Sequence, residues 1–155
     1  MRRAGVLIAL LLALPSSASA AELVANGSFE EPALSGGWAT VGVGHAPEEL
    51  PGWTVTLNTV DLLSSDWQAA AGSQSLDLAG SPGPGAIKQT LATVAGKKYR
   101  IRYSVASNPP ATCGGFPTKT FDVLWNGAVV RHQVYVAADD ASATNMGWQS
   151  AEIEL

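Results

Sequence analysis

Trp67 lies between Asp66 and Gln68, just after the pair Ser64-Ser65 and ahead of a short run of alanines. An indole flanked by a carboxylate and an amide is suited to sugars, whose C–H face stacks on a ring while their hydroxyls need fixed polar partners. Trp67, with Asp66 and Gln68 beside it, is therefore the first candidate for a ligand platform. Trp38, following Gly36-Gly37 and preceding His45, is the second. Trp53 and Trp125, two others of the five tryptophans, fall in apolar runs and read as core. Arg100 and Arg102 share the polar face of one strand, where they either frame an acidic glycan or are solvated.

Other chemistry is sparse. Asn26-Gly-Ser-Phe-Glu30 offers a curling loop with a hard oxygen ligand, so Glu30 either ligates a structural calcium or hydrogen-bonds a turn. Asn26-Gly27-Ser28 is also an N-x-S sequon. The two histidines, His45 and His132, form no metal-ligating pair, and no Gly-x-Ser-x-Gly elbow exists. His45 reads as a solvated loop residue and His132 as a strand residue near the surface. Cys113, the single cysteine, sits in a Pro/Gly loop without a placed base and reads as an ordinary thiol. The acidic residues show no pairing that spacing alone defines for glycoside hydrolysis. The expectation is a protein that is not an enzyme and has no cofactor beyond that calcium.

These candidates must be carried by strands. The stretch Gly52–Leu91 contains short apolar runs at Trp53–Leu57, Val60–Leu63, Gln74–Leu78 and Ile87–Leu91, separated by Ala71-Gly-Ser73 and Gly80-Ser-Pro-Gly-Pro-Gly85. Runs of this length between such breakers read as successive strands. Leu76 and Leu78 share one face while Ser75 and Asp77 take the other, the alternation of a sheet with one wet side. Upstream, Leu23–Ala25 reads as a short strand entering an Asn26-Gly27 turn, with Phe29 folding back into the core. Trp38–Val43 reads as an edge strand. Downstream, Tyr99–Val105 alternates cleanly, and Asn126-Gly127 between Thr120–Trp125 and Ala128–Val136 predicts a type I′ hairpin. Trp148–Leu155 reads as the last strand. The class is all-β: an antiparallel two-sheet β-sandwich of jelly-roll type.

Residues 1–20 have the three-part layout of a secretory signal: Arg2 and Arg3, the apolar Val6–Leu14, and Ala18-Ser-Ala20. Residues 21–155 then form one domain. Removing two arginines leaves seven Lys and Arg against 13 Asp and Glu. That acidic balance argues against nucleic acid and anionic membrane surfaces. No later run is long enough to span a bilayer, so no membrane insertion is expected after cleavage.

The ordered set NGSFEEP, PGWTV, VDLL followed by WQAA, GSQSLDLAG, AIKQTL, GKKYRIRYSVASNP and NMGW resembles the choice-of-anchor C family of exported bacterial domains. That family is similar in turn to the domain of unknown function of plant cell-wall proteins, and the opening resembles galactose-binding-domain-like, carbohydrate-binding sandwiches. The likeness covers about residues 23–150. It implies a sandwich fold and a secreted, extracellular or cell-envelope location, but no reaction. For the plant branch it implies association with wall polysaccharide or wall-modifying enzymes. For Glu30, the carbohydrate-binding likeness implies the calcium role. The family continues through a further loop and closing strand, so the resemblance implies a sandwich lacking its last strand, the alternative being that Trp148–Leu155 is itself the closing strand of a smaller one. Two functions follow as expectations: a module binding extracellular or envelope polysaccharide, or a structural domain whose partner is a surface protein.

Overall fold

The computed structural model describes residues 21–108, 118–137 and 140–155. The signal sequence and Cys113 lie outside the described residues. Nine strands and no helix are found among them, so none contains a helix long and apolar enough to cross a membrane.

The first half is built from β1 (Trp38–Gly42), β2 (Thr54–Leu57), β3 (Thr59–Leu63), β4 (Ser75–Asp77) and β5 (Ala86–Lys88). β3 lies between β1 and β4, antiparallel to both, and β2 pairs with β5. Only Asn58 separates β2 from β3, and its φ of 44° turns the chain from one sheet to the other. Asn tolerates that left-handed conformation better than a bulkier residue. Its amide donates to Pro84 O at 2.9 Å, and the Thr59 hydroxyl donates to Ser81 O at 2.5 Å. The corner is thereby tied to the Gly/Pro loop before β5.

The core follows from the period of two. Val41, Val55 and Val60 are buried with Leu50, and Phe29, Trp53, Leu76, Leu78 and Ile87 pack against them. Phe29 meets Trp53 with ring centroids 5.6 Å apart. Val41 faces Val60, and Leu62 faces Leu76 across the ladders. The intervening residues Thr40, Asp61 and Asp77 therefore emerge on the opposite face.

The second half comprises β6 (Arg100–Val105), β7 (Thr118–Trp125), β8 (Ala128–Val136) and β9 (Gln149–Glu154). β6 pairs with β9 and β7 with β8, both antiparallel. Asn126 and Gly127 take φ of 50° and 81°, the two positive angles a type I′ hairpin needs. Between the two ribbons lie aromatic pairs: Tyr99 with Trp125 at 5.9 Å and Tyr103 edge-on to Phe121 at 5.7 Å. Arg100 and Arg102 stand opposite Glu154 and Glu152, on the far face.

The fold is thus an antiparallel β-sandwich. Its described ladders form four separate sheets, which define no jelly-roll winding. Two details differ from expectation. Leu23–Ala25 forms no strand; instead the Gln89 side chain takes Ala25 as a strand would, accepting from its N–H at 2.7 Å and donating to its carbonyl at 2.9 Å. A primary amide carries both a donor and an acceptor, so it satisfies the backbone without a ladder. The strand expected at Ile87–Leu91 shrinks to Ala86–Lys88, because Gln89 is used in this way.

Candidate functional site

The wet face of the β1–β3–β4 sheet is the floor of an open groove of about 680 Å³, whose lining includes Trp38, Asp61, Asp66, Trp67, Asp77 and Lys119. The ladders explain the convergence. Trp38 stands opposite Leu63 and Thr40 opposite Asp61, while Asp61 stands opposite Asp77. Facing carboxylates repel, and each here receives its own donors. The Thr40 hydroxyl donates to Asp61 at 2.7 Å. Asp77 accepts from Ala79 N–H at 2.7 Å and from the Asn108 amide at 2.9 Å. Trp38 is 64 % exposed, an unusual state for so large an apolar ring at the edge of a sheet.

Trp67 is held by its neighbour. Gln68 N–H donates to Ala143 O at 2.7 Å, the Gln68 side-chain oxygen accepts from Met146 N–H at 3.2 Å, and its carbonyl accepts from the Trp148 indole at 2.8 Å. The motifs WQAA and NMGW, some 80 residues apart, thus form one clasp that fixes the Trp67 backbone. Beyond Trp67 lies a second depression of about 390 Å³, lined by Ser64, Ser65, Gln68, Ser73 and Thr144 among others. Trp67 and Ala143 line both.

The four residues singled out for ligand binding are therefore placed together. Trp38, Asp66 and Trp67 line the first groove, and Trp67 and Gln68 the second. Gln68 is also a clasp residue. Trp53 and Trp125 are half-buried and packed on other rings, Trp53 on Phe29 and Trp125 on Tyr99, and the Trp53 indole N–H donates to Asn26 O at 3.1 Å.

Glu30 hydrogen-bonds a turn, the second of its two expected roles. Both Glu30 oxygens are taken: one accepts from Ser73 N–H at 2.9 Å and Gln74 N–H at 3.0 Å, the other from the Ser73 hydroxyl at 2.6 Å. These bonds, the Ser73 hydroxyl foremost, hold the Glu30 carboxyl below the usual carboxylate range. Three of the carboxylate's roughly four acceptor sites are thereby engaged. Among the described residues no three His, Cys, Asp or Glu side chains converge to hold a metal. The sequon amide of Asn26 is likewise engaged, donating to Glu31 O at 2.6 Å and Pro51 O at 3.1 Å. His45 is not merely solvated: its Nδ1 donates to Ala46 O at 2.9 Å and its Nε2 accepts from Val55 N–H at 3.3 Å, tying the loop to β2. His132 meets Asp122 across the hairpin at 2.6 Å.

Arg100 and Arg102 are engaged by carboxylates of the paired strand β9. Arg100 pairs with Glu152 at 3.1 Å and Glu154 at 2.9 Å, and Arg102 with Glu152 at 2.8 Å. The Arg102 hydrogen bond foremost, with burial opposing it and the charges of Arg100 and then Arg102 adding to it, holds Glu152 below the usual range.

Asp61, Asp77, Asn108 and Lys119 belong to the groove without having been singled out. The wet-face alternation marks Asp77; nothing local marks the others. Gln74 was passed over too. Only 4 % exposed, it donates to Phe29 O at 2.6 Å and Pro32 O at 3.0 Å, and accepts from Leu34 N–H at 2.6 Å. Its signal was a polar residue in step with Leu76 and Leu78 on an apolar face.

Fold and site together define a β-sandwich module with an aromatic, acid-lined trough on one sheet. The chain belongs to the DUF642 family, described as proteins of unknown function, whose profile matches residues 22–155. This membership agrees with the likeness to the domain of unknown function of plant cell-wall proteins; the choice-of-anchor C likeness gains no support from it. Halomucin of Haloquadratum walsbyi is 36 % identical over 92 residues, covering 56 % of this chain and 1 % of halomucin. The chain thus spans a hundredth of that protein's length. No solved structure matches the chain.

Proposed function

We propose that the chain is a non-catalytic extracellular or cell-surface module that binds envelope or matrix polysaccharide across Trp67 and Trp38. The observation that carries this reading is a pair of adjoining open depressions that share Trp67, one with Trp38 and Asp66 and the other with Gln68 and hydroxyl side chains. Rings supply stacking surface, and the surrounding oxygens and amides supply hydrogen bonds of fixed direction. The likeness to a protein named halomucin favours a surface setting. A non-catalytic role is favoured by the two histidines, which line neither depression and are engaged with Ala46, Val55 and Asp122.

A second reading is a protein-docking domain, favoured by the outer face of β7–β8. Leu124, Val129, Val134 and Val136 are all more than half exposed there. Titration of the purified protein with soluble polysaccharides, followed by tryptophan fluorescence, separates the two. Polysaccharide binding that is lost in Trp67→Ala with unchanged melting supports the first. A flat response across the panel refutes it.

A further inference from the structure

The two depressions on either side of Trp67 differ in chemistry. The smaller is lined by the hydroxyls of Ser64, Ser65, Ser73 and Thr144 and by Gln68, with no charged side chain among its lining residues. The larger carries Asp61, Asp66 and Asp77 against the single cation Lys119. Each, at about 390 and 680 Å³, falls within the range of roughly 300–1,000 Å³ typical of a complete small-ligand site. Both are open clefts, and they share Trp67 and Ala143 as a common wall. A site that recognised one terminal sugar would need only one of them, closed at its end.

From this arrangement, and resting on the polysaccharide reading above, we infer that the trough takes an internal run of several uncharged sugar units, threaded past Trp67, and rejects polyuronates. Hydroxyls and an amide pair with neutral sugar hydroxyls on one side. On the other, the ring of Trp38 gives a second stacking surface, and Asp61, Asp66 and Asp77 accept from sugar hydroxyls. Carboxylates accept strongly from O–H donors. A uronate unit set beside three carboxylates and one lysine meets net repulsion and offers its acceptors to acceptors. Arg100 and Arg102 line neither depression and are held by Glu152 and Glu154.

The test uses the full purified protein and calorimetric or fluorescence titration. The probes are neutral oligosaccharides of two, four and six units from glucan, mannan, galactan and xylan series, with oligogalacturonates of equal length. For at least one neutral series, affinity is expected to rise at least tenfold from two to six units. The oligogalacturonates are expected to bind at least tenfold more weakly than that series at low salt. The gap should shrink in high salt, where exposed charges are screened. Asp66→Asn, at an exposed loop position, is expected to narrow the gap at least threefold without altering melting. Affinity that is complete with a disaccharide, or oligogalacturonates that bind as well as neutral chains, overturns the inference and leaves the polysaccharide reading standing. No response from any oligosaccharide overturns both.

Discussion

Gln74→Met removes a side chain that holds three backbone groups while keeping its length and volume. The wild-type amide donates to Phe29 O and Pro32 O and accepts from Leu34 N–H, at 2.6–3.0 Å, from a position only 4 % exposed. A net hydrogen bond contributes about 0.5–1.5 kcal/mol, and a buried group left without a partner costs about 1–3 kcal/mol. Phe29, Pro32 and Leu34 are half-buried, so water replaces part of what is lost and the lower end of each range applies. The sum is a destabilisation of about 2–4 kcal/mol. For a chain of this size that lowers Tm by roughly 5–15 °C. Thermal unfolding followed by near-UV circular dichroism and tryptophan emission is the assay, since Phe29 packs on Trp53 and loosening of the segment alters that environment. Gln149→Met, at an exposed strand position, is the control and should shift Tm by less than about 2 °C, as surface substitutions do. A Gln74→Met protein that melts within 2 °C of wild type refutes the claim that this amide secures residues 29–34.

Gly85→Ala is expected to cost about 1–3 kcal/mol in urea unfolding, because an added Cβ runs into the Thr59 carbonyl on β3, backbone that cannot step aside, and into the side chain of Val60. Gly83→Ala, whose Cβ meets only Asn58 at 3.9 Å, should be nearly neutral in the same experiment. Leu50→Ala, at a wholly buried position, should lower stability by about 2–5 kcal/mol. The lowered Glu30 and Glu152 carboxyls stabilise the fold fully above the ordinary carboxylate range, and that stability is lost as pH falls through their depressed values. Tm should therefore decline on acidification, and Glu30→Gln, less stable at neutral pH, should show a shallower decline; parallel curves would remove Glu30 from the explanation.

The parts of the fold that were legible in the sequence are those governed by neighbours. Asn126-Gly127 announces its turn because only a few residue types accept two positive φ angles, and Tyr99–Val105 announces its strand by strict alternation. That Trp38, Asp66, Trp67 and Gln68 line surface depressions was legible because a large ring among Gly, Ser and Asp has no apolar run to bury it. What escaped notice depends on partners far along the chain. The clasp between Gln68 and Trp148 spans 80 residues, and the facing of Asp61 and Asp77 depends on the order of β3 and β4. Side-chain bonds to backbone have no period. Gln89 reads as one more polar strand residue, and Glu30 as either a metal ligand or a turn residue, since a carboxylate engaged by N–H and O–H donors has the same sequence as a free one.

The attachment of residues 25–34 has a consequence for how this protein tolerates mutation. A strand in a sheet is secured by main-chain groups that every residue but proline supplies, so no ordinary codon change can delete them. Here the segment hangs instead from Gln89, Gln74 and Glu30. Each of these anchors is encoded by a single codon, and each is lost by a single substitution. Drift within the family should therefore be sharply restricted at these three positions, two of them lying far downstream of the segment they hold, and likewise at Asn26, Phe29 and Trp53, which tie the same segment to Pro51 and the core.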